Sequence, residues 1–243
     1  MGKETKDKQN LQVKLLSEKM KERDKKIRIV KIAILIMTLF LVIIYFVLRV
    51  FLETGDFTIS LDQEFAKSEG IIMYENSSNK IDRRILKAQK VEFMDNISVK
   101  WLPNDIDNMG EGAHNGENYL AYTFYLENKG AETVNYWYEI KIDQVIKNVD
   151  DAVRIAIYRN GNRTIYAKPS KTGEAEDGTT KFYSNSSVCV EPRRGFNPGD
   201  IDKFTIVIYI EGDDPECQDN LIGGEMKMHM DITQERIEQK KTK

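Results

Sequence analysis

Two cysteines, two histidines, five prolines and two tryptophans are spread over 243 residues. So little cysteine excludes a disulfide-dense scaffold, and so little proline with 15 glycines excludes a collagenous or low-complexity chain. The cysteines, Cys189 and Cys217, are too far apart for a C-x-x-C redox or zinc motif, and neither His114 nor His229 belongs to an HExxH helix. There is no G-x-S-x-G elbow, no phosphate-cradling P-loop and no dinucleotide fingerprint. A Ser-His-Asp site can still be assembled from distant residues, so a hydrolase requires a cleft that sets His114 or His229 beside a carboxylate or hydroxyl. The inventory reads as a chain that is not an enzyme and holds no cofactor.

The charge balance is even in total, 36 Lys and Arg against 39 Asp and Glu, but not along the chain. Residues 1–31 hold eleven basic and five acidic side chains, a net of +6, which leaves residues 32–243 at −9. From Ile32 to Leu48 the sequence IAILIMTLFLVIIYFVL has no charge, and after Arg49 the apolar character resumes at Val50, Phe51 and Leu52. Seventeen to 21 residues at about 1.5 Å of helical rise reach across a hydrocarbon core, with Lys31 and Arg49 snorkelling at its two faces. A buried globular helix would keep a polar stripe, and this segment has none. A cleaved signal peptide is disfavoured by the 31-residue basic flank and by RVFLETGD, which offers no A-x-A-like site, so the reading is an uncleaved signal anchor. Lys25, Lys26, Arg28 and Lys31 precede the segment, while no Lys or Arg lies between Arg49 and Lys67, which places the N-terminus in the cytoplasm and the rest outside. Leu11, Leu15, Leu16 and Met20 among charges suggest a short helix lying on anionic headgroups or in solvent.

Beyond residue 53 the hydrophobic period becomes two. Val134, Tyr136, Tyr138, Ile140 and Ile142 alternate with polar residues, as do Leu120 to Leu126, Phe204 to Ile210 and Met226 to Ile232. Shorter strands put Phe57, Ile59 and Leu61, then Ile97, Val99 and Trp101, inward. Strands centred on Ile155 and Ile165 are joined by Arg159-Asn160-Gly161-Asn162, whose Asn-Gly pair suits a type I′ turn. A second hairpin is expected to join 119–127 to 134–143 through Asn128-Lys129-Gly130-Ala131, and a helix or an extended edge is expected over 82–94. The prediction is an all-β, antiparallel sandwich of about eight strands, preceded by one transmembrane helix and a short charged cytoplasmic segment. Its divisions are 1–31 cytoplasmic, 32–52 transmembrane, 53–233 the extracytoplasmic sandwich and 234–243 a charged tail, with 168–200 a long surface excursion.

An even pair of cysteines outside the cell points to a Cys189–Cys217 disulfide, with two buried thiols as the alternative. Asp213, Asp214, Glu216 and Asp219 crowd one loop at a density that suits calcium, and solvated turn residues would look the same. The stretch from Asn104 to Glu111 begins like an EF-hand loop but has Met109 at the fifth position and Gly116 at the twelfth. Tyr119, Tyr125 and Trp137, on nominally outer faces, are candidate contacts for a protein partner, and the alternative is packing beneath a loop. Sequons begin at Asn76, Asn96, Asn162 and Asn185. Nucleic acid is excluded as a partner by the acidic outer region, whose basic clusters are pairs only.

The segments Thr54 to Leu61, Phe124 to Gly130 and Asn197-Pro198-Gly199-Asp200 resemble the skeleton of TasA/camelysin-type β-sandwich proteins of Gram-positive bacteria. The ending from Ile210 to Cys217, followed by Leu221 to Glu225, resembles uncharacterised membrane-anchored proteins of the same bacteria. The resemblance implies a surface sandwich, a fibre subunit in some members and an alleged metallopeptidase in others. This chain departs from the group in its long basic N-terminal segment and its lack of a cleavage site. Together these readings predict a membrane-anchored module at the cell surface, in contact with lipid and with a protein partner or a second copy of itself. The alternatives are an extracytoplasmic ligand or calcium sensor and, last, a hydrolase.

Overall fold

The computed structural model describes residues 20, 21, 23, 25–46, 57–89, 91 and 93–235, in two units divided between Thr54 and Gly55. Arg49, the headgroup helix proposed for 11–29 beyond its last described turns, and the tail after Glu235 lie outside the described residues.

The first unit contains α1, Lys25–Phe46, whose 22 residues rise about 33 Å, enough for a hydrocarbon core. Every side chain on it is exposed, Leu35 at 70% and Met37 at 65%, so from Ile32 to Phe46 apolar surface faces outward all round. The hydroxyl of Thr38, within the uncharged stretch from Ile32 to Phe46, donates to Ile34 O at 2.9 Å. By length and composition α1 is long and apolar enough to cross a membrane.

The second unit is mostly β. Its elements in order are β1 (Thr58–Leu61), α2 (Gln63–Glu69), β2 (Ile71–Tyr74), β3 (Ile85–Lys87), β4 (Asn96–Ile97), β5 (Gly112–Ala113), β6 (Tyr119–Asn128) and β7 (Val134–Ile146), then β8 (Val153–Arg159), β9 (Asn162–Ala167), β10 (Thr180–Lys181), β11 (Ser187–Phe196), β12 (Ile201–Glu211) and β13 (Glu225–Gln234). One sheet runs β11-β7-β13-β1-β3 and the other β10-β9-β8-β12-β6-β2, with β4 on β12 and β5 on β6. The expectation of a purely antiparallel sandwich is corrected, because β1 runs parallel to β13, β10 to β9 and β4 to β12. Each parallel partner is a strand of two to four residues, and the period that assigns β1 its inward face, Ile59 and Leu61, carries no information about strand direction.

The two sheets share one core. Tyr136, Tyr138, Ile140, Met230 and Ile232 from the first meet Leu120, Tyr122, Phe124, Ile155, Phe204 and Ile206 from the second. The Tyr138 ring meets that of Phe204 edge-on at 5.2 Å, and Phe204 stacks on Phe124 at 5.2 Å. At one end of this core Asp202, 1% exposed, accepts from Tyr136 Oη, Arg193 Nε and Asn160 Nδ2 at 2.6–2.9 Å, so the buried charge is fully bonded.

The hairpin at Asn160-Gly161 forms as predicted, with φ of 51° and 81° and Arg159 opposite Asn162. The expected hairpin between 119–127 and 134–143 does not, since β6 and β7 belong to different sheets. The connection instead crosses the open end of the core, held by the buried Asn128 side chain, which donates to Glu132 O and Phe196 O and accepts from Gly130 N. Here Gly130 is required by space: a Cβ on it would lie 2.0 Å from Glu69 O. No helix forms among the described residues of 82–94, where β3 lies instead. The helix that does form, α2, starts at Asp62, whose Oδ1 accepts from Phe65 N at 2.8 Å, and stops at Gly70 in the left-handed region.

A second apolar cluster lies on the outer face of the larger sheet. Ile97, Leu102 and Ile106 cover Ala121, Ala156, Tyr158, Val207 and Tyr209, so β12 is buried on both faces. The predicted strand through Ile97, Val99 and Trp101 is therefore corrected to two strand residues and a 3-10 turn, with Trp101 74% exposed rather than inward.

Candidate functional site

The acidic loop after β12 folds back on the turn between β7 and β8. Lys147 and Asn148 in that turn have φ of 58° and 53°, the left-handed region that costs a side-chain-bearing residue about 1 kcal/mol or more. The turn sets Asp150, Asp151 and, at the start of β8, Arg154 side by side. Arg154 is 4% exposed and its guanidinium pairs with Asp214, whose side chain is wholly buried. The second oxygen of Asp214 accepts from Glu216 N at 2.7 Å. Glu176, from the long excursion, joins Asp214 and Glu216 so that three carboxylate oxygens lie within 4.8 Å of one another. Burial, and then the charges of Asp214 and Glu216, hold the Glu176 carboxyl above its usual range against the pull of Arg154. Next to this group Lys168 Nζ bridges Asp150 and Asp151 at 2.7 Å each. Burial works against the Lys168 charge, but the two carboxylates outweigh it and raise its pKa.

Two of the four calcium candidates, Asp214 and Glu216, thus converge, and they do so with Glu176, which sequence reading had left in a featureless loop. Asp213 points elsewhere, accepting from Ser98 Oγ at 2.7 Å, and Asp219 begins a 3-10 turn with an exposed side chain. In the EF-hand-like stretch, Asn108 Oδ1 accepts from Lys203 and Glu111 accepts from Tyr125 Oη and Ser77 N. These oxygens are already spent on protein donors.

The cysteines are not bridged. Cys189 sits on β11 facing the core, with burial pushing its thiol up to about 12, and Cys217 sits half-buried in the acidic loop, its Sγ accepting from Asn96 Nδ2 at 3.3 Å. The expected disulfide is thereby corrected: the thiols belong to an inward strand face and to a surface loop, and an even count could not reveal that.

The three candidate contact aromatics are half-buried. Tyr125 stacks on Tyr74 at 5.4 Å and bonds Glu111, with burial and that carboxylate pushing its hydroxyl up to about 12. Tyr119 rests on the outer cluster of the larger sheet, and Trp137 lies between Pro192 and Thr233 on neighbouring strands. Among the described residues of the β unit the strongly exposed aromatics are Phe93 at 75%, Trp101 at 74% and Tyr183 at 71%. The missed signal was local: Trp101 follows Ser98, which caps the 3-10 turn by accepting from Lys100 N.

His114 is pinned between Gly112 O and Ile106 O at 3.0 and 3.2 Å. His229 lies on the open face of the smaller sheet with Nδ1 2.8 Å from Asp143 and Nε2 3.4 Å from Asp231. Ser60 Oγ donates to Asp231 at 2.6 Å rather than to the imidazole, so the order is serine, carboxylate, histidine, and the ring is not placed to take the serine proton.

No family model and no curated protein matches this chain. Among solved structures, a β-glucosidase from Kluyveromyces marxianus in complex with glucose aligns at 12% identity over 68% of this chain and 16% of its own, with a TM-score of 0.26. A selenomethionine-labelled form of a β-glucosidase from the same organism aligns at 10% identity over 66% and 16%, with a TM-score of 0.22. The chain spans about a sixth of those enzymes, and likeness of this size carries no argument about fold or activity.

Proposed function

We propose that the chain is a single-pass membrane protein, N-terminus in the cytoplasm, whose β unit acts outside the cell as a binding or structural module. The observation that carries this reading is the helix α1, apolar on every side from Ile32 to Phe46, in a chain whose β unit has its own core. The basic residues Lys25, Lys26, Arg28 and Lys31 supply the orientation. Of the four sheet edges, β11, β3, β10 and β2, two are guarded against a partner strand. The edge strand β11 carries Pro192 and two register shifts, and β2 is capped by Arg83 N on Met73 O and Arg84 Nη1 on Ile71 O. That favours a facial contact through Phe93 and Trp101.

Cys217 gives a direct test of orientation. A membrane-impermeant maleimide should label it in intact cells, and labelling that needs cell lysis would sink the outward placement. Phe93→Ala and Trp101→Ala should abolish cross-linking of the full chain to its partner or to a second copy while leaving the melting temperature in place. A second reading, an ion sensor, is favoured by the meeting of Glu176, Asp214 and Glu216. Millimolar calcium would then raise the melting temperature, and an unchanged value would remove it.

A further inference from the structure

The basic segment ahead of the apolar stretch is built on the same helix. Residues 20, 21 and 23 are helical like Lys25–Phe46 and exposed like them, so the cations stand along the axis of α1 and not on a separate helix. From Met20 to Lys31 the sequence holds six basic and two acidic residues, a net of +4. At about 100° per residue, Lys25, Lys26, Lys31 and Arg28 fall at about 0°, 100°, 240° and 300° around the axis, and Arg23, at about 160°, fills the widest gap. Every side of the helix therefore carries a cation. Ile29, Val30 and Ile27 fall between them at about 40°, 140° and 200°, and all three are exposed. We propose that this stretch is a collar that binds anionic phospholipid headgroups around the whole circumference of the helix.

The proposal rests on the reading of α1 as a membrane span and adds which lipid surrounds it. Lys25 to Lys31 covers about 9 Å of helix, close to the roughly 5–8 Å that headgroups add on each side of a hydrocarbon core. The distribution decides the kind of ligand. A protein groove or a nucleic-acid strand meets one side of a helix and asks for a one-sided stripe of cations, whereas lipids meet it on every side. The interleaved isoleucines and valine argue the same way, because at the boundary of headgroup and acyl chain each side of the helix meets both phosphate and hydrocarbon. Among headgroups, a zwitterionic one brings its own ammonium, which the collar repels, and an anionic one brings none. A phosphodiester oxygen accepts from either the ammonium of Lys or the guanidinium of Arg, so the mixture of the two cations is no obstacle.

The test places the full chain in nanodiscs of phosphatidylcholine with about 20% phosphatidylglycerol, where both leaflets are alike and orientation cannot bias the result. Electron spin resonance then compares spin-labelled phosphatidylglycerol with spin-labelled phosphatidylcholine, the motionally restricted fraction of each counting the lipid held at the helix. Phosphatidylglycerol should associate at least about threefold more strongly, and Lys25→Gln/Lys26→Gln/Arg28→Gln/Lys31→Gln should bring the ratio to about one. In the unchanged chain, raising salt from about 0.1 to 1 M shortens the Debye length from about 10 to 3 Å and should at least halve the preference, a readout that decides the matter even if the variant fails to insert. Equal association of the two lipids, a preference kept in full by the variant, or one indifferent to salt overturns the collar. So does loss of the preference on adding an RNA oligonucleotide at about micromolar concentration, which would assign the cations to a polyanion in solution. A chain stripped from its membrane by alkaline carbonate removes the membrane-spanning reading and the collar together, whereas a chain that stays but treats the two lipids alike removes the collar alone.

Discussion

The two sheets of the β unit carry similar strands but treat their outer faces in opposite ways. On the smaller sheet that face is open: Ser60, Lys141, Asp143, His229 and Asp231 form a solvated mesh of hydrogen bonds. On the larger sheet it is roofed by Ile97, Leu102 and Ile106, and a charge at its margin, Arg154, is buried against Asp214. The same geometric element, an ion pair on a strand face, therefore has two energetic meanings. In water two charges gain little by meeting, whereas under a roof each depends on the other to offset its desolvation.

The largest expected effect follows from that contrast. Asp214→Ala leaves Arg154 buried without a partner and should cost about 3–5 kcal/mol in urea unfolding, while replacing both by apolar residues of similar size should recover most of it. Recovery on the double change separates a desolvated pair from a merely well-packed loop. The roof itself comes next. Ile106→Ala, at a fully buried position, should cost about 2–4 kcal/mol, whereas Trp101→Ala, five residues away and 74% exposed, should change stability by no more than about 0.5 kcal/mol. Equal losses at the two positions would mean that the roof does not pack as a second core.

That contrast also decides what could be read in advance. The smaller sheet was legible because an open face enforces alternation: Val134 to Ile142 and Met226 to Ile232 turn inward as their period says. The larger sheet hid its second buried face, because Val207 and Tyr209 look like ordinary outward residues until the 97–106 segment is laid over them. Pairing was less legible than facing. Periodicity assigns a side, but it says nothing about which sheet a strand joins, so β6 and β7 read as a hairpin although Asn128 carries the chain across. The candidate site was half legible for the same reason. Asp214 and Glu216 announce themselves by density, but Glu176 reaches them only through tertiary folding of a loop.

A smaller effect probes the acidic group beside the roof. Glu176 titrates above its unfolded value, so the folded state holds that proton more tightly than the unfolded one. Its contribution is therefore present in full below the unfolded pKa, about 4.3, and is lost as pH rises through the folded pKa. Glu176→Gln should thus raise the melting temperature at pH 7 and lose that advantage below about pH 4. On the ion-sensor reading, stabilisation by millimolar calcium should disappear in the same variant.

The open face should respond least, and with the opposite sign. Burial opposes ionisation of Asp231, but hydrogen bonds from Lys141 and Ser60 outweigh it and hold its pKa below the usual carboxylate range. A depressed carboxyl stabilises the fold above its unfolded pKa of about 3.9 and stops doing so as pH falls through the folded value. Lys141→Ala, removing a partner with a 41% exposed side chain, should cost less than about 1 kcal/mol at pH 7, and high salt should shrink that cost further. Asp231→Asn should differ from the parent at pH 7 and converge with it in strong acid. A salt-insensitive loss of several kcal/mol at Lys141 would place the open face under cover after all, and would point to this mesh as the surface a partner or second copy occupies.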